Sequence, residues 1–290
     1  MVAKFSIKDL EKLSGIKAHT LRIWEQRYGI LKPKRTETNI RLYNNEELRQ
    51  LLNISLLYNN GLKISKIAAF SKDEIIQEAT RIVETQINPC EQIDGLVIAM
   101  VEMNELRFEK ILSTNILKIG FSKTVENVIY PFLRKIGMMW QTGSVNPAQE
   151  HYISNLIRQK LIVAIDGQMV IKNRKSKTFV LFLPEQELHE ISLLYYTYLL
   201  KSRGHLVTYL GQSVPMLDLQ KVIGIIHPDY LVSVFTQTLD SPEEYIKRLS
   251  KTFPKQQILL SGYQVIDKGM HLPKNISIFK QPTDFLTLIS

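Results

Sequence analysis

Past residue 177 the apolar residues change their spacing, and that change constrains the fold more than any other feature of the chain. Short strand-like runs occupy 178–183, 206–210, 230–235 and 257–261, with a weaker fifth at 276–279. Stretches with helical spacing lie between them, at about 189–203, 215–226 and 242–252. Strands separated by a helix cannot pair as hairpins. They cross over and lie parallel, with helices covering both faces of the sheet. Five such strands predict a Rossmann-like, flavodoxin-like parallel sheet, and in such sheets ligands bind in the loops at the carboxyl ends of the strands.

The upstream residues follow the helical period instead. Ser6 with Asp9 makes a capping box, and Ile7, Leu10 and Leu13 recur at helical spacing, which predicts a helix over 5–14 ended by Gly15. Leu21, Trp24 and Tyr28 predict a second helix over 18–28. Helix, glycine-containing turn and helix make a helix-turn-helix. The stretch from Pro33 to Tyr43 is basic and β-branched, as a hairpin wing is. Helices are expected at 45–59 and 63–69. Further helical segments near 73–87, 91–103, 105–118, 121–139 and 147–170, separated by Pro89, Gly120, Gly143 and Pro147, predict a helical bundle. The expectation is a multi-domain α and α/β chain: a winged helix-turn-helix over 1–72, a helical bundle over 73–173 and the parallel sheet over 174–290.

Charge separates the head from the rest. The net charge is +9, and residues 1–70 hold 13 Lys/Arg against 6 Asp/Glu, leaving +7 there and +2 on the other 220 residues. A basic head on a nearly neutral body suits a polyanionic partner. A helix that enters the major groove presents basic and hydrogen-bonding side chains near its start, and His19, Thr20, Arg22 and Arg27 are so placed. Lys32, Lys34, Arg35 and Arg41 are the wing cations for phosphate contact. Cys90 is the single cysteine, so an internal disulfide and a cysteine metal cluster are excluded. A phosphate loop and a Ser/His/Asp arrangement are not visible, so no enzyme is expected. With no run of 18 apolar residues and no signal-peptide core, no membrane partner and a cytoplasmic location are expected.

Thr20-Leu21-Arg22-Ile23-Trp24-Glu25 followed by Arg41-Leu42-Tyr43 resembles the signature of MerR regulators, and the resemblance covers about residues 4–70. Trp24 stands where many members have tyrosine. In that family the second helix reads the groove while the wing arginine and tyrosine grip the backbone. The resemblance therefore implies double-stranded operator DNA as partner, Arg41 and Tyr43 as backbone contacts, and a homo-oligomer, dimer or tetramer.

The loop after the first strand of the sheet reads Leu-Pro-Glu-Gln-Glu-Leu-His-Glu-Ile-Ser over 183–192, with Glu187 two residues before His189. On spacing alone such a histidine is more often a surface or helix-start residue than a ligand. The region resembles the cobalamin-binding domains of methyltransferases, mutases and some MerR regulators. There an acidic-x-His-x-x-Gly loop presents a histidine to the lower face of cobalt. The resemblance implies His189 as the cobalt ligand and Glu187 as its hydrogen-bond partner, an arrangement that fixes the imidazole tautomer. Ser192 stands at the glycine position. Ser233 begins Ser233-Val234-Phe235 at the family's Ser-x-Leu position, and Ser261-Gly262 stands at its Gly-Gly position; these line the tunnel for the cofactor's nucleotide tail.

Trp140, with Glu150-His151 after nine intervening residues, resembles the adenosyl-facing motif of light-sensing MerR regulators of the CarH and LitR type. Together these resemblances imply a repressor whose oligomer is controlled by cobalamin, as adenosylcobalamin, and by light. Gln141 stands where light-responsive members carry a histidine. An amide is a poor cobalt ligand beside imidazole, so no bis-histidine complex is expected after illumination. The side chains added at 192 and 261 keep a second reading open: the same fold acting without cofactor under control of a partner protein.

Overall fold

The computed structural model describes residues 5–36, 38–85, 88–141, 145–169, 171, 173–236 and 241–290. The chain divides into two units, Met1–Asn155 and Leu156–Ser290.

In the first unit both halves of the expected capping box form. The Ser6 hydroxyl accepts from the Asp9 amide at 3.3 Å, and the Asp9 carboxylate accepts the Ser6 amide at 2.8 Å. Helix α1 (Ile7–Ser14) follows, and Gly15 ends it at φ +73°. Helix α2 (Ala18–Tyr28) has the expected bounds and buries Leu21 and Trp24. Trp24 is core, with its ring edge-on to Tyr58 at 4.9 Å. Strands β1 (Lys34–Arg35) and β2 (Arg41–Leu42) pair antiparallel as the wing. Phe5 and Tyr43 exchange backbone hydrogen bonds of 2.8 and 2.9 Å, which fastens the start of the chain to the wing.

Helix α3 (Asn45–Asn59) buries Leu48, Leu51, Leu52, Ile54, Leu56 and Leu57, so it is apolar on more than one side. It packs against α1 and also against α5 (Lys72–Thr85) and α6 (Pro89–Val101), which makes it the shared core of head and bundle. Helix α4 (Ile64–Ile67) is a single turn, shorter than the expected 63–69. The bundle continues with α7 (Glu105–Ile119), α8 (Phe121–Thr124), a π-helical turn over Val125–Ile129 and α9 (Tyr130–Gln141). The expected continuous helix over 121–139 is thus interrupted by one π turn. Helix α10 (Pro147–Asp166) follows.

The second unit holds β3 (Thr178–Pro184), α11 (Ile191–Lys201), β4 (Leu206–Val214), α12 (Met216–Ile226), β5 (Tyr230–Val234), α13 (Pro242–Thr252), β6 (Gln257–Ser261), β7 (Ile276–Ile278) and α14 (Pro282–Leu288). All five strands are parallel, in the order β4-β3-β5-β6-β7, which is the flavodoxin-like order expected. Val180, Phe182, Leu231, Ile258 and Leu260 share one buried cluster with Leu219 and Ile223 of α12 and Ile246 and Leu249 of α13. Tyr196 of α11 packs on Phe279 and on Phe285 of α14, with centroids 5.0 and 4.8 Å apart. Helix α14 was not among the expected elements. Strand β4 runs four residues beyond the expected 210, and its register against β3 shifts at Phe182 and again at Pro184. Among the described residues no helix is long and apolar enough to cross a membrane.

One backbone position is set by close approach. Gly262, just past β6, has φ +105°, and a Cβ there would lie 2.3 Å from the Phe235 carbonyl oxygen. The Phe235 amide donates to the Ser261 carbonyl at 2.8 Å, so the two backbones cannot separate without losing a hydrogen bond. Gly262→Ala combines backbone strain with overpacking and is expected to cost about 2–4 kcal/mol. Urea unfolding of the variant against the parent checks this.

Candidate functional site

The exposed side of the head carries the cations. His19, Arg22 and Arg27 on α2, and Lys32, Lys34 and Arg35 in or before the wing, are exposed; Thr20 is half-buried. The Arg35 guanidinium donates to Asn39 Oδ1 at 2.6 Å across the hairpin, which holds the wing tip in shape. Arg41 and Tyr43 differ. Arg41 Nε donates to both carboxylate oxygens of Glu25, at 3.2 and 3.0 Å, and the Tyr43 hydroxyl donates to Glu25 Oε2 at 3.3 Å. The side chains of Arg41 and Glu25 are only 20% and 14% exposed, and the Tyr43 ring is core. Both wing residues are thus tied to α2 through one carboxylate. Glu25 was not among the sequence-derived site residues. The signal for it was an acidic residue within an otherwise basic signature.

The second candidate site is the loop after β3. Its Glu187 amide donates to the Pro184 carbonyl at 3.0 Å, and Gln186 turns through φ +71°. That turn buries the Glu187 side chain, leaving it 2% exposed. Its Oε1 accepts the His189 amide at 3.0 Å and faces His189 Nδ1 at 2.7 Å, while Oε2 accepts the Thr236 amide at 2.7 Å. A carboxylate in that place keeps the proton on Nδ1 and puts the lone pair on Nε2. The imidazole itself is 59% exposed. Strand β4 steadies the loop from its extended end. The Gln186 amide donates to Ser213 Oγ at 3.1 Å, the Ser213 amide to the Glu187 carbonyl at 3.2 Å, and Gln212 Nε2 to the Leu188 carbonyl at 2.6 Å.

Glu190, next after His189, was also missed by the sequence reading. It is buried, beside Arg158 Nε of α10 at 2.6 Å, and accepts a short hydrogen bond from the Tyr209 hydroxyl of β4. Burial, with Glu190 as hydrogen-bond partner, pushes the Tyr209 phenol far above its ordinary range.

The remaining candidates have varied surroundings. Ser233 is fully buried and donates its hydroxyl to the Phe182 carbonyl at 2.8 Å, so that group is used by the sheet. Ser261 is buried opposite Val234 at the carboxyl end of β6, Gly262 is half-buried after it, and Ser192 is half-buried at the start of α11. Glu150 is half-buried and His151 exposed near the start of α10, with His151 Nδ1 3.1 Å from Glu150 Oε2. The Ser154 hydroxyl donates to the other Glu150 oxygen at 2.9 Å. The backbones of Trp140 and Gln141 lie in α9; their side chains lie outside the described residues.

Residues 5–74 match the family of MerR HTH family regulatory proteins, and residues 92–164 match the B12 binding domain family. Over 259 residues the chain is 26% identical to the HTH-type transcriptional repressor CarH of Myxococcus xanthus, covering 87% of this chain and 86% of that one. It is 29% identical over 244 residues to the HTH-type transcriptional repressor CarA of the same organism, covering 82% and 78%. The monomethylamine corrinoid protein of Methanosarcina barkeri shares the fold, with a TM-score of 0.53 and 16% identity over 66% of this chain and 92% of that one.

The Glu25 contact has a consequence at high pH. Burial, and after it the Glu25 charge, pushes the Tyr43 phenol up from 10 to about 12. The folded state therefore favours the neutral phenol. The stability this contributes is complete below pH 10 and is lost as pH rises toward 12. Tyr43→Phe is expected to flatten the decline of unfolding free energy between pH 10 and 12, measured by urea titration at each pH.

Proposed function

We propose that this chain, in which a MerR-type helix-turn-helix region precedes a B12-binding region, is a transcriptional repressor that binds operator DNA as a homo-oligomer and is controlled by cobalamin, as adenosylcobalamin. The Glu187–His189 pair carries the proposal. It offers one imidazole, oriented by a buried carboxylate, with its lone pair on Nε2 at the carboxyl edge of a parallel sheet. A metal bound through a single imidazole must bring its other ligands with it, as cobalt in a corrin ring does. When bound, the cofactor supplies that cobalt and a photolabile bond to its upper ligand. His189 would hold that metal, and Glu187 would hold the imidazole in place.

The head binds duplex DNA through its exposed cations. Arg22 and Arg27 approach from α2, Lys34 and Arg35 contact phosphate from the wing, and Glu25, Arg41 and Tyr43 hold the wing in place. Cofactor-dependent oligomerisation, with light as the releasing signal, is the regulatory scheme that the resemblance to CarH and LitR type regulators implies. Linkage requires that the DNA-competent state bind cofactor more tightly than the other state. The similarity to two repressors over most of the chain supports a regulator rather than an enzyme.

Two measurements test the proposal. On a duplex enriched from a random-sequence pool, Arg35→Ala is expected to lower the salt slope of binding by about 1, the loss of one phosphate contact. An unchanged slope removes Arg35 from the DNA contact. Isothermal titration with adenosylcobalamin is expected to show micromolar or tighter binding by the parent. His189→Ala is expected to weaken it at least about 100-fold, beyond the 10- to 100-fold typical of losing a ligand's hydrogen-bond partner. Equal affinities remove His189 from cobalt ligation, and no binding by the parent favours instead a cofactor-free regulator, in which the side chains of Ser192 and Ser261 occupy the space of the nucleotide tail.

A further inference from the structure

We infer that Glu190 is a positioning residue for the His189 imidazole and that its carboxylate fastens the histidine loop to helix α10; the inference rests on the cobalamin reading above. Glu190 is one peptide from His189, so a displacement of one moves the other. Its backbone starts α11, with its carbonyl accepting the Leu194 amide at 2.8 Å. Its side chain makes no capping hydrogen bond and is only 6% exposed. It turns instead toward two other elements: Oε2 accepts the Tyr209 hydroxyl of β4, and Oε1 lies against Arg158 Nε of α10.

The contact with Arg158 is a charge contact. Oε1 lies 2.6 Å from Arg158 Nε, and among the described residues that buried oxygen accepts no hydrogen bond. A buried carboxylate with one oxygen left without a hydrogen bond is costly, and an apolar side chain would begin α11 at less expense. The arrangement is intelligible if position rather than stability is what it secures. The other ties on the loop lead to neighbouring strands: Glu187 to Thr236 after β5, and Gln186, Glu187 and Leu188 to Gln212 and Ser213 of β4. Glu190 adds a tie to Arg158 on α10.

The test uses the full chain as wild type, Glu190→Gln, Arg158→Met and Arg158→Lys. Glu190→Gln keeps the volume and an acceptor for Tyr209 while removing the charge. Arg158 is 49% exposed, so its replacement keeps the inference testable should Glu190→Gln fail to fold. Each protein is titrated with hydroxocobalamin, following the visible bands that report imidazole on cobalt. Thermal unfolding of the cofactor-free proteins and hydrogen exchange over 156–166 are measured alongside. Glu190→Gln and Arg158→Met are expected to lose about 10- to 100-fold in affinity, in the range found for groups that orient a metal ligand. They are also expected to lose the cofactor-dependent protection of 156–166, while Arg158→Lys keeps most of both. Equal affinity and equal spectra in wild type and Glu190→Gln overturn the inference and leave cobalamin binding intact. So does a lowered melting temperature with affinity and spectrum unchanged, which is a purely structural role. No imidazole-ligated spectrum in wild type overturns the cobalamin reading itself and this inference with it.

Discussion

The Glu187 carboxylate is the interaction on which the ligand edge of the sheet depends. Buried after a left-handed turn at Gln186, it collects the amide and Nδ1 of His189 and the amide of Thr236. Charge-assisted hydrogen bonds contribute about 1.5–3 kcal/mol each, and a buried carboxylate without them is not tolerated. The same bonds that allow Glu187 to be buried therefore dictate where the imidazole stands and which nitrogen carries its proton. Residues after β3 and Thr236 after β5 share that carboxylate, so the ends of two neighbouring strands are tied to each other.

The head uses the same device for a different purpose. Glu25 lies within a basic surface, where an exposed carboxylate would repel a polyanion. Tied to Arg41 and Tyr43, it is neutralised and largely removed from water. Its effect is geometric: the wing cannot swing away from α2 without separating a half-buried ion pair. That leaves Lys34 and Arg35 exposed on a hairpin of fixed orientation, and exposed cations rather than paired ones supply the salt-dependent attraction to phosphate.

Much of the architecture is legible along the chain because it is decided by near neighbours. The capping box of Ser6 and Asp9 predicts the start of α1, and the spacing of Leu21 and Trp24 predicts α2 with its observed bounds. The period change after residue 177 predicts five parallel strands and their order. The departures arise where distant residues intervene. Strand β4 outruns its apolar pattern because Gln212 and Ser213 are needed to hold the histidine loop. Helix α14, only seven residues long, is stabilised by Phe285 against Tyr196 and Phe279, a contact invisible in its own short period.

For the candidate sites the division has the same cause. Residue types and local spacing single out Arg22 and Arg35 as cations on a helix and a wing, whereas Glu187 and His189 are singled out by the resemblance of their loop to cobalamin-binding domains. The sequence by itself determined the helix-turn-helix and the parallel sheet. Tertiary structure alone decided that Glu25 holds Arg41 across 16 residues, that Glu187 reaches Thr236 across 49, and that Glu190 meets Tyr209 and Arg158. A buried carboxylate takes whichever donors the closed fold brings within about 3 Å, and no local pattern records which those will be.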